Sequence, residues 1–266
     1  MPHIFFSIIV FVFGLIVGSF LNCVIYRLEH GSSFLRGRSF CPHCKHVLSW
    51  LDLIPVISFL ILKGKCRYCQ KPISAQYPLV ELATAAIFLF IFFLPNIYPI
   101  GQFISMLFYL VISSFLIIIF VYDLKHYLIP DKIIYSAIAV TCLYQLFRIW
   151  NFGNWDLFRI SDLGFGILPA LFLLAIIVIS RGHWMGLGDF KLAILMGLLL
   201  GWPAVVVALL SAFYIGALVG IYLIMSGRKT IKSEVPFGPF LITGTFLALF
   251  FSEKLIDLYL TLFLIK

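Results

Sequence analysis

MGLGDFKLAILMGLLLGWPAVVVALLSAFYIGALVGIYLIM, Met185 to Met225, is the stretch on which the fold turns. From Asp189 to Met225 it runs for 37 residues with one further charge, Lys191. A membrane-crossing helix needs about 20 apolar residues, so this tract is too long for one helix and too apolar for a soluble one. Gly201, Trp202 and Pro203 supply a turn signal inside it, which predicts a short helix over Phe190–Leu200 followed by a longer one. The whole chain agrees with this reading. Its 266 residues are 63% apolar, 17% aromatic and only 11% charged, whereas a soluble domain carries about 25% charged residues. The expectation is an all-α polytopic membrane protein, and a soluble fold of this size is excluded.

Outward from that tract, further apolar runs predict spans at Ile4–Tyr26, Pro78–Leu94, Gln102–Tyr122, Ile129–Ile149, Leu163–Ser180 and Pro239–Ile256, about eight transmembrane helices in all. The first run has no Lys or Arg before it and is followed by Arg27, Arg36 and Arg38, the reverse of a secretory signal. It reads as a retained span. The net charge of +8 then becomes a test of the topology. Eight of the nineteen basic residues lie in Arg27–Tyr77, and Asp123–Lys132, Arg181–Lys191 and Arg228–Lys232 bring that face to fifteen. Arg148, Arg159, Lys254 and Lys266 fall on the other face. By the positive-inside rule both termini lie outside and the basic loop lies in the cytoplasm. Three regions follow: a first helix over 1–26, a cytoplasmic loop domain over 27–77 and a helical membrane domain over 78–266.

The loop holds two CxxC pairs, Cys41 with Cys44 and Cys66 with Cys69, 21 residues apart. Each pair lets two thiolates from one tight turn reach one ion, and two such turns close a tetrahedral sphere with no position left for water. The spacing therefore predicts a structural Zn2+ site rather than a hydrolytic one. Transient disulfides and a metal-free loop are the competing readings, and a reducing cytoplasm weighs against the first. His43 and His46 read as solvated, and Cys23 and Cys142 as small residues of the spans.

Only eleven acids occur in the chain. An acid at membrane depth is costly and needs a reason. Asp123 ends the third span and Asp189 opens the sixth, which in the eight-span topology puts both at the cytoplasmic level. Two carboxylates in a pocket of low dielectric tend to share one proton, so one can activate a water while the other donates. Gly186 and Gly188 lack side chains and allow close backbone approach beside Asp189. The plainer readings are a helix N-cap for Asp189 with Lys191 nearby, first-turn dipole chemistry for Asp131 after Pro130, and an interfacial pairing of Asp123 with Lys125 or His126. Glu81, just inside the second span, reads as a pocket residue or a snorkelling acid.

GSFLNCVIYRL (Gly18–Leu28), the two CxxC motifs, YPLVELAT (Tyr77–Thr84), Asp123 with LIPD (Leu128–Asp131), MGLGDFKLA (Met185–Ala193) and VPFGPFL (Val235–Leu241) occur in one order along the chain. That ordered set resembles the type IV prepilin peptidases, GxGD-type aspartic proteases of the bacterial inner membrane. The resemblance implies that Asp123 and Asp189 are the catalytic pair of a peptidase domain over 78–266. It also implies substrates among type IV prepilins and pseudopilins, cut at the cytoplasmic face after a glycine. Which of Asp123 and Asp131 faces Asp189 is not decided by sequence, and Asp123 is the residue favoured. Members with the large cysteine loop also N-methylate the new terminus with S-adenosylmethionine. This is implied by the resemblance alone, because no glycine-rich nucleotide fold is readable and the methyl-donor residues are unknown. The alternative from another class is a proton-coupled transporter with Asp123 and Asp189 as proton carriers. No inverted repeat accompanies them. Nucleic-acid binding by the loop fits poorly, since its basic residues are scattered among apolar ones.

Overall fold

The computed structural model describes residues 2–32, 37–94, 102–152, 160–183, 185–230 and 233–263. Among these residues the regular structure is helical: α1 (Pro2–Glu29), α2 (Ile57–Ile61), α3 (Gln76–Phe92), α4 (Gln102–His126), α5 (Asp131–Phe152), α6 (Ile160–Ile179), α7 (Leu187–Leu200), α8 (Ala204–Met225) and α9 (Gly238–Phe263), with a 3-10 turn at Trp50–Leu53. Eight of these helices occupy the eight expected apolar segments. Of the described helices, α1, α4, α8 and α9 are long and apolar enough on their own to cross a membrane. α3 and the described end of α6 are shorter apolar helices. The ends differ from expectation where a polar residue still fits a helix: α1 runs past Tyr26 to Glu29, and α4 runs past Tyr122 to His126. Arg36, Arg159, Lys232 and Lys266, used in the charge count, lie outside the described residues.

The chain divides into two compact units, Met1–Ile118 and Ile119–Lys266. In the first, α1 and α3 pack along each other. Glycine sets the closeness of that pairing, since a Cβ on Gly14 would lie 2.5 Å from the Cα of Ala85 and one on Gly18 2.6 Å from the Cα of Glu81. Lipid tails give apolar helices no hydrophobic reason to associate, so backbone contact through small residues is the available attraction. Asn22 on α1 strengthens it by donating to the Tyr77 carbonyl at 3.0 Å.

In the second unit α7 is central, packing against α5, α6, α8 and α9. It is also the shortest of the eight. The turn expected at Gly201–Pro203 is present: Gly201 adopts φ +67°, beyond the reach of most L side chains, and α8 begins at Ala204. α6 meets α7 with Gly166 against Gly197, and α8 meets α9 with Gly244 against the backbone of Ala208. Hydroxyls in these helices, such as Thr141 and Thr245, bond back to carbonyls four residues earlier, which hides them from an apolar surround.

Candidate active site and metal centre

Asp123 lies in the last turn of α4 and its residue is only 4% exposed. The helix stops just beyond it because Tyr127 turns to φ +57° and donates its amide to the Asp123 carbonyl at 2.9 Å. The chain then runs through Leu128, Ile129 and Pro130 into α5. Pro130 has no amide hydrogen to offer, and its carbonyl accepts from Ile133 and Ile134.

Asp189 lies in the first turn of α7, and its carboxylate accepts the amide of Gly186 at 3.4 Å. This is the acid-to-N-cap half of a helix-start motif. Asp189 is thus not the N-cap itself, which is Gly186, but the third residue of the helix, reaching back to it. Asp123 lies near enough for its charge to act on Asp189. Asp131 does not take that place. It begins α5 and accepts from Lys191 Nζ at 2.6 Å, while the same ammonium sits 4.9 Å from the Tyr135 ring.

Two glycines permit close packing around Asp123 and Ile129. A Cβ on Gly188 would lie 3.1 Å from the Cβ of Ile129, and one on Gly238 would lie 2.5 Å from Oδ2 of Asp123 and 3.4 Å from Cδ1 of Ile129. The Gly238 amide donates to Asp123. Ile129 thus sits between the start of α7 and the start of α9, a position no sequence motif marks. Of the two glycines expected to permit close approach, only Gly188 does so, since a Cβ on Gly186 would meet only the Gly188 amide nitrogen, at 3.9 Å, and Gly186 serves as the extended N-cap. The Val235–Leu241 segment contributes through Gly238, and Pro239 stands in the first turn of α9 as an ordinary helix entry.

The four-cysteine loop belongs to the first unit. Its two knuckles have one backbone pattern repeated: Cys41 donates to the His46 carbonyl and Cys66 to the Lys71 carbonyl, both at 2.9 Å. Lys45 and Gln70, each at φ +58°, donate back to Cys41 and Cys66. Bridges Phe40 to Val47 and Lys65 to Pro72 close the turns. The four sulfurs lie within 4.8 Å of one another, with Cys41 Sγ 3.9 Å from Cys69 Sγ. A tetrahedron with Zn–S bonds of about 2.3 Å has edges of about 3.8 Å, so the cluster can hold one such ion with little movement. Burial raises the Cys41 thiol, but the amides of Cys44 and His43 and the neighbouring thiols outweigh it and bring the group to about 7. At Cys69 the Lys71 amide favours the thiolate, but burial and three adjacent sulfurs push the group up to about 11. Four thiolates cannot crowd together without a cation among them. His46 is not a fifth candidate, since its ring stacks on Tyr68 at 3.7 Å.

Asp52 joins the two knuckles. It accepts from the Ser49 hydroxyl at 2.8 Å, from Arg67 Nε at 2.7 Å and from the Tyr68 hydroxyl at 3.2 Å. Burial raises its carboxyl, yet the Ser49 hydroxyl and the Arg67 guanidinium hold it below the usual carboxylate range. Glu81, expected as a pocket or snorkelling acid, does not snorkel. It is buried and accepts the Val56 amide at 2.8 Å.

The helices define a helical membrane protein with two neighbouring aspartates in one unit and, in the other, a four-thiol loop that could hold a metal ion. Residues 12–94 match the bacterial peptidase A24 N-terminal domain and residues 110–221 match the type IV leader peptidase family. The chain is 34% identical to a prepilin leader peptidase/N-methyltransferase of Aeromonas hydrophila over 99% of its own length and 97% of that protein. It is 33% identical to one of Bacillus subtilis over 95% and 97%, and 30% identical to one of Legionella pneumophila over 96% and 95%. No solved structure matches it. The chain belongs to the prepilin leader peptidase/N-methyltransferase family and is an enzyme of a protease class. Membership in that class sets aside the transporter alternative.

Proposed function

We propose that this chain is a bacterial inner-membrane aspartic endopeptidase that removes the leader peptide from type IV prepilins and pseudopilins, with Asp123 and Asp189 as its catalytic pair. The observation that supports this reading is that Asp123 lies near enough for its charge to act on Asp189, with the tight packing at Gly188 and Gly238 beside them. In the proposed reaction the ionised aspartate takes a proton from a water as its oxygen adds to the scissile carbonyl. The protonated partner donates to the carbonyl oxygen, and a proton passes to the leaving amine as the C–N bond breaks. Water is consumed, two peptides leave and the pair returns to one shared proton. Peptide bonds within a helix are shielded, so the substrate presents an unwound segment at the membrane edge.

The proposed topology has eight spans, both termini outside, and the thiol loop and the aspartates at the cytoplasmic face, with the regions 1–26, 27–77 and 78–266 as first helix, loop domain and peptidase domain. Cys41, Cys44, Cys66 and Cys69 hold a structural Zn2+, which fixes the loop and takes no part in hydrolysis. The enzyme also N-methylates the new terminus with S-adenosylmethionine as donor. No residues of this chain are assigned to the donor.

The test is cleavage of a prepilin by the purified protein, followed by gel shift. Asp123→Asn and Asp189→Asn, which keep shape and remove the acid, are each expected to abolish cleavage, and full cleavage by either refutes the pair. Labelled S-adenosylmethionine in the same reaction is expected to label the cleaved pilin. An unlabelled product reduces the function to peptidase alone.

A further inference from the structure

Between the two cysteine knuckles the chain reads WLDLIPVISFLIL, Trp50 to Leu62, and this segment turns its apolar side chains outward. Trp50 is 74% exposed, Leu60 67% and Ile61 71%, with Leu51, Leu53 and Ile57 exposed beside them. A metal loop surrounded by water would hide such residues or do without them, because contiguous apolar patches on a protein surface mark a contact. The polar members of the segment face the other way, with Asp52 holding Ser49 and Arg67.

The Glu81–Val56 bond fixes the depth of this segment. Glu81 is the sixth residue of α3, about 7.5 Å along the helix from Gln76. Its Cα packs against Gly18 of α1, and Gly18 lies well inside the uncharged run Ile4–Tyr26. At that same level α1 directs Ile16 and Phe20 outward as a lipid-facing surface. The Val56 backbone therefore sits beside the apolar part of the first span and not beyond its end.

Backbone at membrane depth is tolerated only when its polar groups find partners within the protein. Those of this turn do. Val56 donates to the Glu81 carboxylate, Ser58 to the Ile54 carbonyl at 3.1 Å, Leu60 to Val56 at 3.0 Å and Leu62 to Ser58 at 3.0 Å, while Pro55 has no amide hydrogen to satisfy. Val56 is held at φ +59°, a costly conformation for a β-branched residue, and it persists because Glu81 fixes its amide. A buried acid in α3 and a strained valine in the loop are thus parts of one device.

We propose that residues 50–62 form a wedge that dips into the bilayer beside α1 and α3, its outward face covered by the acyl chains and headgroup boundary of the lipid. Lys63 and Lys65, immediately after the wedge, suit anionic headgroups, and Trp50 suits the interfacial belt. The inference rests on α1 crossing the membrane but not on the proposed catalytic pair, so cleavage by the same preparation fails or succeeds independently of it.

The test places the full-length protein in nanodiscs of phosphatidylcholine, plain or brominated in the upper acyl chain. Subtracting the fluorescence of Trp50→Phe isolates the signal of residue 50, and Leu60→Trp in that background reports on α2. An interfacial segment lies about 5–10 Å into the headgroup–acyl boundary, so both signals are expected to fall about twofold in brominated lipid and to resist aqueous iodide. Quenching by iodide without quenching by bromine overturns the proposal, as does bromine quenching of residue 50 without residue 60. Iodide shielding that appears only when prepilin is added assigns the face to the substrate and equally overturns the lipid assignment. Should Leu60→Trp fail to fold, the native Trp50 signal decides alone.

Discussion

Lys191 and Asp131 form an ion pair, Nζ to Oδ1 at 2.6 Å, joining the first turn of α7 to the first residue of α5. The pair accounts for an acid that sequence alone could not separate from Asp123. The Asp131 side chain is 65% exposed, and exposed pairs contribute about 0–1 kcal/mol. Asp131→Asn is therefore expected to lower prepilin cleavage less than about tenfold, whereas loss of a general acid or base costs about 100- to 10,000-fold at Asp123 or Asp189. Initial cleavage rates for the three variants in one membrane preparation check this. Equal losses at Asp131 and Asp123 would place Asp131 in the chemistry.

Gly238 makes a sharper demand. A Cβ there would stand 2.5 Å from Oδ2 of Asp123, with Ile129 on its other side, so the carboxylate has to move when Gly238→Ala is made. Overpacking of this kind costs about 1–3 kcal/mol, and here it falls on the proposed catalytic oxygen. Cleavage is expected to fall about 100-fold, in proportion to displacement of a catalytic group, while zinc content and expression stay near wild type. Cleavage and metal content measured on the same sample separate a local effect from unfolding.

The fold was legible in the sequence because its cause is local. Apolar length predicts a helix with no knowledge of its neighbours, and Gly201 with Pro203 marks the turn before α8 wherever the helix packs. The thiol cluster was legible for the same reason, since two CxxC turns build their geometry from adjacent residues. Contacts made across the chain were not. Nothing near Ile129 says that it fills the space left by Gly188 and Gly238, and nothing near Glu81 says that its partner is an amide 25 residues earlier. The glycines carried half of that information: each announces a close approach, and none names what approaches.

Asp52 is expected to govern metal retention without touching metal. It holds Ser49, Arg67 and Tyr68, and loss of an outer partner of a metal site typically costs about 10- to 100-fold in affinity. Asp52→Asn should therefore lose zinc to a competing chelator at roughly tenfold lower concentration. The pH dependence has a definite sign. The folded carboxyl is held below its ordinary value, so its contribution is fully present above about pH 3.9 and is lost only as pH falls through the lower folded value. Above that range the difference between wild type and variant is expected to be constant, and loss of zinc by both on mild acidification is expected from protonation of the thiolates. A gap that closes between pH 7 and pH 5 would contradict the assignment.

Helix contact through glycine can be tested where no chemistry intervenes. A Cβ on Gly197 would run into the carbonyl of Gly166, a backbone atom that no rotamer change can move aside. Gly220, inside α8, has nothing within 4 Å of the same position. Alanine in a helix is favoured over glycine by roughly 0.5–1 kcal/mol, and that gain is all that Gly220→Ala should show. At Gly197 the same gain is opposed by separating α6 from α7, a cost of about 1–3 kcal/mol. Thermal unfolding in detergent is expected to shift down for Gly197→Ala and to stay level or shift up for Gly220→Ala. Because Gly197 lies more than two turns along α7 from Asp189, the activity of Gly197→Ala per folded molecule should remain near wild type at low temperature. If both alanines stabilise alike, α6 and α7 do not meet through Gly166 and Gly197.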